Sequence, residues 1–357
     1  MGTRYNFVVG CIIVIFIINT SFSSNAQNID RVQLRHEVSL EQAHVGCLHL
    51  DTLLLDSYGM APKNIRQFYL DARSILSENE HADFKHPGIL ESAQKNDIAI
   101  IGGPMLGNLS DEGVFVWLRL AETISLQIKV FTSDGELEKL YTKDVTHPGK
   151  EQRIELNGLQ SDVDYNYLVF AGNDKIAEGS FRTAPDSNDP ELFKLAFGSC
   201  MHKIGVHNPN LVNQIIERKP HAMALLGDIA VDDRENHMNL HQADYLLRDV
   251  SMPWQRLAAN VPLYTSWDDH DYLNNDLAGI PDGFSDTDRK RLREVWRQNW
   301  NNPLNEKEGI YFNTRIGPVE LIMLDTRSCR TINNRGQYGS YLGMKQQKWL
   351  KETLKES

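Results

Sequence analysis

The sequence has no long apolar run. Its most apolar stretch, Phe7 to Ile18, is about a dozen residues, against the ~20 that a bilayer-spanning helix needs. A stable membrane span is therefore not expected. Cysteine is scarce: Cys11, Cys47, Cys200 and Cys329 show no zinc-finger spacing and are too few for a disulfide scaffold. There is no surplus of positive charge. Lys and Arg total 37 against 48 Asp and Glu, a net charge of -11, which argues against a nucleic-acid surface. No Gly-x-Ser-x-Gly elbow, internal repeat or low-complexity tract occurs. Cys329 to Arg335 spells Cys-x5-Arg, but the stretch between lacks the glycine that a phosphate-cradling loop wants.

What is present divides the 357 residues into four parts. Residues 1–26 read as a signal peptide. Arg4 begins it, the short apolar run follows, and Ser24-Asn25-Ala26 offers a cleavage site before Gln27. A secreted or periplasmic protein is expected. Cys11 would leave with the leader, so an odd number of cysteines remains and at least one should be free or metal-bound. Residues 27–97 are partly helical, with apolar spacing at Asn64–Leu76 and no chemistry assigned. Residues 98–185 are β-rich. Runs at Val114–Leu118, Leu126–Phe131, Gln152–Leu156 and Tyr165–Phe170 alternate between turn signals, as in a small antiparallel sandwich. Gly158 to Tyr167 resembles the corner of a fibronectin type III-like module. The Ala184–Pro190 stretch is linker chemistry.

From residue 191 to 357 the period changes. Phe193–Phe197, a helix over Asn210–Arg218 and the continuous apolar run Ala222–Leu226 form a strand–helix–strand unit. Val261–Tyr264 reads as a further strand, Ser285–Trp300 as a helix, Gly309–Phe312 and Val319–Leu324 as paired strands, and Leu342–Ser357 as a helix. Polar residues follow each strand: Cys200, Asp228, and the crowded loop Asp268-Asp269-His270-Asp271 with Asn274 and Asn275. Such a density of acids at strand ends is costly unless cations or substrate offset the repulsion. Asp228 suits a carboxylate bridging two metal ions. Asp268 and Asp269 suit further ligands, and Cys200 as thiolate a softer ion. His270 could protonate a leaving oxygen or hold phosphoryl oxygens. Asn274, Asn275 and Arg327 are candidate substrate contacts, though Arg327 could equally pair with an acid. Each has a plainer reading. Cys200 could be a structural thiol, Asp228 a turn residue, and the acidic loop a solvated turn or a non-catalytic calcium site. The histidines at 202, 207, 221, 237 and 241 read as ordinary surface or core residues.

Phe197-Gly198-Ser199-Cys200, Leu226-Gly227-Asp228, Trp267-Asp268-Asp269-His270-Asp271, Leu324-Asp325-Thr326-Arg327 and Leu342-Gly343 with Gln347 and Trp349-Leu350 together resemble PhoD-like alkaline phosphatases. The resemblance implies a calcineurin-like metallophosphatase fold, an α/β (α+β) four-layer sandwich, preceded by the small all-β sandwich. It implies hydrolysis of small-molecule phosphomonoesters, and of diesters in some members. The cofactors it implies are divalent or trivalent ions, iron with calcium in some members. Cys200 and Asp228 would bind iron, Asp269 would take the second site, and His270 matches the histidine at phosphate. Two departures stand out. Val231 occupies a position where the family has a tyrosine ligand, leaving Asp232 or Asp233 to substitute. The family also continues past the last helix to further metal-binding blocks, so the catalytic domain reads as incomplete at its carboxyl end. A second expectation follows: a metal-binding but catalytically impaired fragment.

Overall fold

The chain begins in helix, where its pattern is hardest to read. In α1 (Leu40–Val45) the Ser39 hydroxyl accepts from the Gln42 backbone N–H, and the Gln42 side chain accepts from that of Ser39. This reciprocal pair satisfies two donors that a helix start leaves open. α2 (Leu48–Leu55), α3 (Lys63–Glu78) and α4 (Pro87–Lys95) follow. α3 is the helix expected at Asn64–Leu76. It buries Phe68, Tyr69, Ala72 and Leu76, one helical face, in a core shared with Leu246 and Leu247 far along the chain.

Seven strands come next: β1 (Ile100–Gly107), β2 (Val114–Leu120), β3 (Ile124–Thr132), β4 (Leu137–Val145), β5 (Glu151–Leu156), β6 (Asp164–Ala171) and β7 (Asp174–Arg182). They form two antiparallel sheets, ordered β1-β2-β5 and β4-β3-β6-β7. Alternate residues such as Val116, Leu118, Ile128, Val130, Tyr167 and Val169 point into one core. The four strands expected are β2, β3, β5 and β6. The three not expected have evident reasons. β4 and β7 are edge strands carrying Lys, Glu and Asp, a composition that resists pairing with other chains and hides a strand from an apolar pattern. β1 is interrupted by Gly102, Gly103 and Pro104.

The remaining elements alternate. β8 (Leu195–Gly198) leads through α5 (His202–Val206) and α6 (Pro209–Glu217) to β9 (Ala222–Leu226). α7 (Met238–Asp249) and α8 (Met252–Asn260) then lead to β10 (Leu263–Ser266). These strands form a parallel sheet ordered β10-β9-β8. α9 (Asp269–Tyr272), α10 (Asp286–Asn299), the antiparallel hairpin β11 (Phe312–Ile316) and β12 (Val319–Met323), and α11 (Met344–Glu356) complete the fold. α10 has the expected capping box of Ser285 and Asp288. The first hairpin strand begins at Phe312, later than its apolar run suggests, because Asp325 draws the Ile310 N–H out of the ladder at 3.1 Å.

This computed structural model describes residues 31–188, 192–231, 238–304, 308–331 and 339–356. The expected signal peptide, Asp232, Asp233, His237 and Arg335 lie outside the described residues. Val32–Ser357 forms one compact unit of mixed α/β structure with several sheets. Among the described residues no helix is long and apolar enough to cross a membrane. Cys47, Cys200 and Cys329 are all free.

Candidate metal centre

Because β8, β9 and β10 are parallel, their carboxyl ends lie along one edge of the sheet, the place where α/β folds collect ligands. Cys200 follows β8, Asp228 follows β9, and Asp268 to Asp271 follow β10. The loops are laced together. Cys200 N–H donates to the Gly227 carbonyl at 3.0 Å, and His202 N–H to the Asp228 carbonyl at 2.8 Å. The Asp271 carboxylate accepts from the backbone N–H groups of Asp228, of Ile229 at 3.1 Å and of Asp268 at 3.1 Å. Burial, reinforced by the charge of Asp228, pushes the Asp271 carboxyl up to about 7, while these backbone donors pull the other way. Cys200, His202 and Asp228 have φ of 55°, 49° and 55°, a region non-glycine residues occupy at a cost. Gly227, at φ 99°, cannot be replaced freely: a Cβ there would lie 2.5 Å from the Asp268 backbone nitrogen.

Two ligand groups result. Cys200, His202 and Asp228 each offer a donor atom within 4.8 Å of the others, and so do Asp228, Asp269 and His270. Asp228 belongs to both. Its carboxylate lies 3.5 Å from Cys200 Sγ, and among the described residues its buried Oδ1 has no hydrogen-bond partner. A buried carboxylate oxygen left without a donor is costly, and a cation answers that cost. The sulfur, nitrogen and oxygen donors therefore fit metal ions. Burial raises the Asp228 carboxyl, as do Asp268 and Asp269, against His270 and His202. Burial works against ionisation of Asp269 too, but the Asp276 backbone N–H and Arg327 outweigh it and hold that carboxyl below its usual value. At Cys200 a hydrogen bond from Ser199 favours the thiolate. Burial and the Asp228 charge prevail, so the thiol lies above its ordinary value.

The other expected residues sit around these groups. Asp268 is in neither. It pairs with Arg327 Nε at 2.5 Å, and Arg327 reaches Asp269 at 3.4 Å. Of the two roles open to Arg327, pairing with acids is the one the geometry makes. Asn274 is partly buried and Asn275 exposed. Their loop turns back on the site where Asp276 N–H donates to Asp269 at 2.6 Å. Val231 is buried in the apolar core. Asp325 is a structural hub: its carboxylate accepts from Trp267 Nε1 at 2.9 Å and Ser328 N–H at 2.8 Å.

Three contributors escape sequence reasoning. His202 stands two residues beyond Cys200, and that nearness was the one available signal. Asp271 was visible as one more acid, with nothing to show that it binds backbone. His44, on α1, has its ring 4.3 Å from that of His270 and 4.8 Å from that of His202. It lies 158 residues before His202, and no pattern marks it.

Residues 206–357 match the family model described as PhoD-like phosphatase. That stretch is similar to PhoD-like phosphatases. A solved structure of PhoD is similar to this chain with a TM-score of 0.59 and 18% identity, over 71% of this chain and 59% of that one. The chain thus spans about three fifths of the PhoD structure it resembles, and the likeness is one of fold. Weaker likenesses join it to Bacteroides uniformis β-glucuronidase, with a TM-score of 0.29, 8% identity, and cover of 55% of this chain and 32% of that one. A myokine structure gives 0.19, 17% identity, and 24% and 97% cover. Neither carries an argument. No curated protein matches the chain. The PhoD-like stretch contains Asp228, Asp269, His270 and Arg327, and begins after Cys200 and His202.

Proposed function

We propose that this protein is a metal-dependent phosphoric ester hydrolase acting at the sheet edge. One observation carries the reading: two ligand groups share Asp228. A two-metal hydrolase needs such a bridge, with ions roughly 3.5–4 Å apart to stabilise the attacking and leaving oxygens together. The PhoD-like character of residues 206–357 supports it.

In this reading Cys200, His202 and Asp228 would hold one ion, and Asp228 and Asp269 the other. Bound there, such ions would polarise phosphoryl oxygens and make an attacking water more acidic. The chain's own residues do the rest. His270, beside Asp228 and Asp269, holds a proton at the leaving oxygen. Asp271 clamps the two acid-bearing loops at fixed separation. Arg327 holds Asp268 and Asp269, and a phosphate's oxygens would compete for its guanidinium, as they would for the nearby amides of Asn274 and Asn275. The thiolate position suits iron and the oxygen-rich one calcium. The substrate class is small phosphomonoesters, with diesters as the extension. Export through the leader at residues 1–26, a fibronectin type III-like module at 98–185 and a four-layer phosphatase sandwich from 191 belong to the same reading.

The test is hydrolysis of p-nitrophenyl phosphate by the full chain, stripped with chelator and reloaded. Asp228→Asn and His270→Ala should each lower kcat by about 10²–10⁴-fold. Turnover unchanged in both variants would remove the assignment. Metal uptake without turnover in the wild type would leave the centre but not the hydrolase. Protein sequencing of the exported chain should begin at Gln27.

A further inference from the structure

Arg293, on α10, is a buried cation that the metal centre does not use. It is 2% exposed. Its Nε donates to the Ser328 hydroxyl at 2.8 Å, and its Nη2 reaches the Ser328 carbonyl at 3.4 Å and Cys329 Sγ at 3.6 Å. Among the described residues no carboxylate pairs with it. Asp325 is met only through the Ser328 hydroxyl, which donates to it at 2.5 Å. A guanidinium taken out of water without an anion is costly. Arg293 lines a cavity of about 150 Å³ between α10 and the start of α11. Arg289 and Lys345 line it too. Arg289 is shared with Asp286, which is not in the lining. One carboxylate faces the three cations, that of Glu308, which Lys345 meets at 2.5 Å. In a chain of net charge -11 this cavity is locally positive. The helix start adds donors. α11 has 13 residues with no acid in its first turn, and the first N–H groups of a helix have no acceptor within it. That turn is fixed in place. The Gln346 side chain accepts from Asp325 N–H at 2.8 Å and donates to the Asp325 and Leu342 carbonyls at 2.8 and 2.9 Å. Gly343, at φ 74°, comes so near that a Cβ on it would lie 3.0 Å from the Cys329 carbonyl oxygen.

We propose that this cavity binds a small tetrahedral oxyanion of the inorganic phosphate class, held by Arg293, Arg289, Lys345 and the first turn of α11, at a site separate from the metal centre. Guanidinium forks and helix starts both favour such a ligand. The volume is well under the ~300–1,000 Å³ of sites for drug-sized molecules, which favours the free anion over an ester of it. Cys329, the first residue of the Cys-x5-Arg spelling, lines the same cavity. Burial, with the Asp325 charge behind it, pushes its thiol up to about 11, so the cavity holds an anion without attacking it.

The test is calorimetric titration of the chelator-stripped full chain with inorganic phosphate. Wild type should bind one phosphate, and Asp228→Asn, which disables the centre, should bind it equally well. Arg293→Met should bind at least about tenfold more weakly, the worth of one charge-assisted hydrogen bond. If Arg293→Met does not fold, two more exposed residues decide: Lys345→Glu should weaken binding several-fold and Glu308→Gln should strengthen it. p-Nitrophenyl phosphate should compete far more weakly than phosphate, because the cavity has no room for its ring. No phosphate binding in the stripped wild type, loss of binding in Asp228→Asn, wild-type affinity in a folded Arg293→Met, or wild-type affinity in both Lys345→Glu and Glu308→Gln would each overturn the proposal. Equal competition by p-nitrophenyl phosphate would overturn the small-anion assignment. Cobalt(II), a visible probe of the Cys200 thiolate, should enter the centre of Lys345→Glu as it does that of the wild type; loss of both ligands together would overturn the claim of separate sites. Phosphate binding by a wild type that takes up no cobalt would bring down the metal centre and leave this site standing.

Discussion

His202 and Lys203 are neighbours in the chain and belong to opposite kinds of charged cluster. Lys203 sits between Asp244 and Asp51, and Asp51 also takes Arg73 Nε at 3.1 Å and the Tyr69 hydroxyl at 3.1 Å. Among the described residues two cations face two carboxylates, and Lys203, Asp51 and Asp244 are each 1% exposed. One residue away the balance fails. Among the described residues, Asp228, Asp269 and Asp271 are buried together, Arg327 is committed to Asp268 and Asp269, and Asp228 Oδ1 has no hydrogen bond. Buried charge that the chain itself neutralises behaves as scaffold. Buried charge left over calls for a cation from outside.

Breaking each cluster should therefore give effects of opposite sign. Lys203→Met leaves Asp51 and Asp244 facing each other in the interior. It should destabilise the protein by about 3–5 kcal/mol, read as a lower urea midpoint with unchanged slope. The same cluster sets an acid limit. His207 is fully buried, its Nδ1 donates to the Lys203 carbonyl at 2.7 Å, and burial lowers its pKa to about 4. The unfolded chain takes up this proton near pH 6.5 and the folded one only near 4. Stability from this group is complete above about 6.5 and lost as pH falls toward 4, by about 3 kcal/mol in all. His207→Gln should flatten that part of the urea-midpoint profile; an identical acid slope in wild type and variant would contradict it. Asp228→Asn should do the reverse of Lys203→Met. Without metal it removes an uncompensated buried charge, so thermal unfolding of the stripped protein should show a gain of about 1–2 kcal/mol while metal uptake is lost. A stripped variant less stable than wild type would mean that Asp228 is scaffold too.

The same contrast explains what the sequence could show. The strand–helix–strand unit was legible because β9 is a continuous apolar run and α6 follows a helix-starting Pro209. A parallel unit then places the residues after each strand at one edge, which brings Cys200, Asp228, Asp269 and His270 near one another without knowledge of any contact. The division of labour within Asp268–Asp271 was not legible. One helical turn sends successive side chains in different directions, so Asp268 meets Arg327, Asp269 and His270 meet Asp228, and Asp271 turns back to the backbone. His44 and Lys203 were illegible for a different reason. Their meaning lies in how the amino-terminal helices pack on α5 and α7, and no local pattern encodes which strand end a distant helix covers.

The smallest expected effect is the sharpest probe of the contrast. α1 and α2 are separated by Gly46 and Cys47, yet α1 sets the His44 ring against His202 and His270 and α2 gives Asp51 to the balanced cluster. Ser39→Ala removes the hydroxyl that accepts from Gln42 N–H and touches neither cluster directly. On so short and exposed a helix the loss should be about 0.5–1 kcal/mol, the low end for a cap. Hydrogen exchange should quicken across α1 and leave α3 and α7 as they were, because the ion pairs of Asp51 and Lys203 do not depend on the cap. Loosening α1 should nevertheless weaken cobalt binding slightly, since His44 packs its ring against His202, a member of the Cys200 group. Faster exchange in α1 with unchanged cobalt affinity would show that the helix is only a neighbour of the centre.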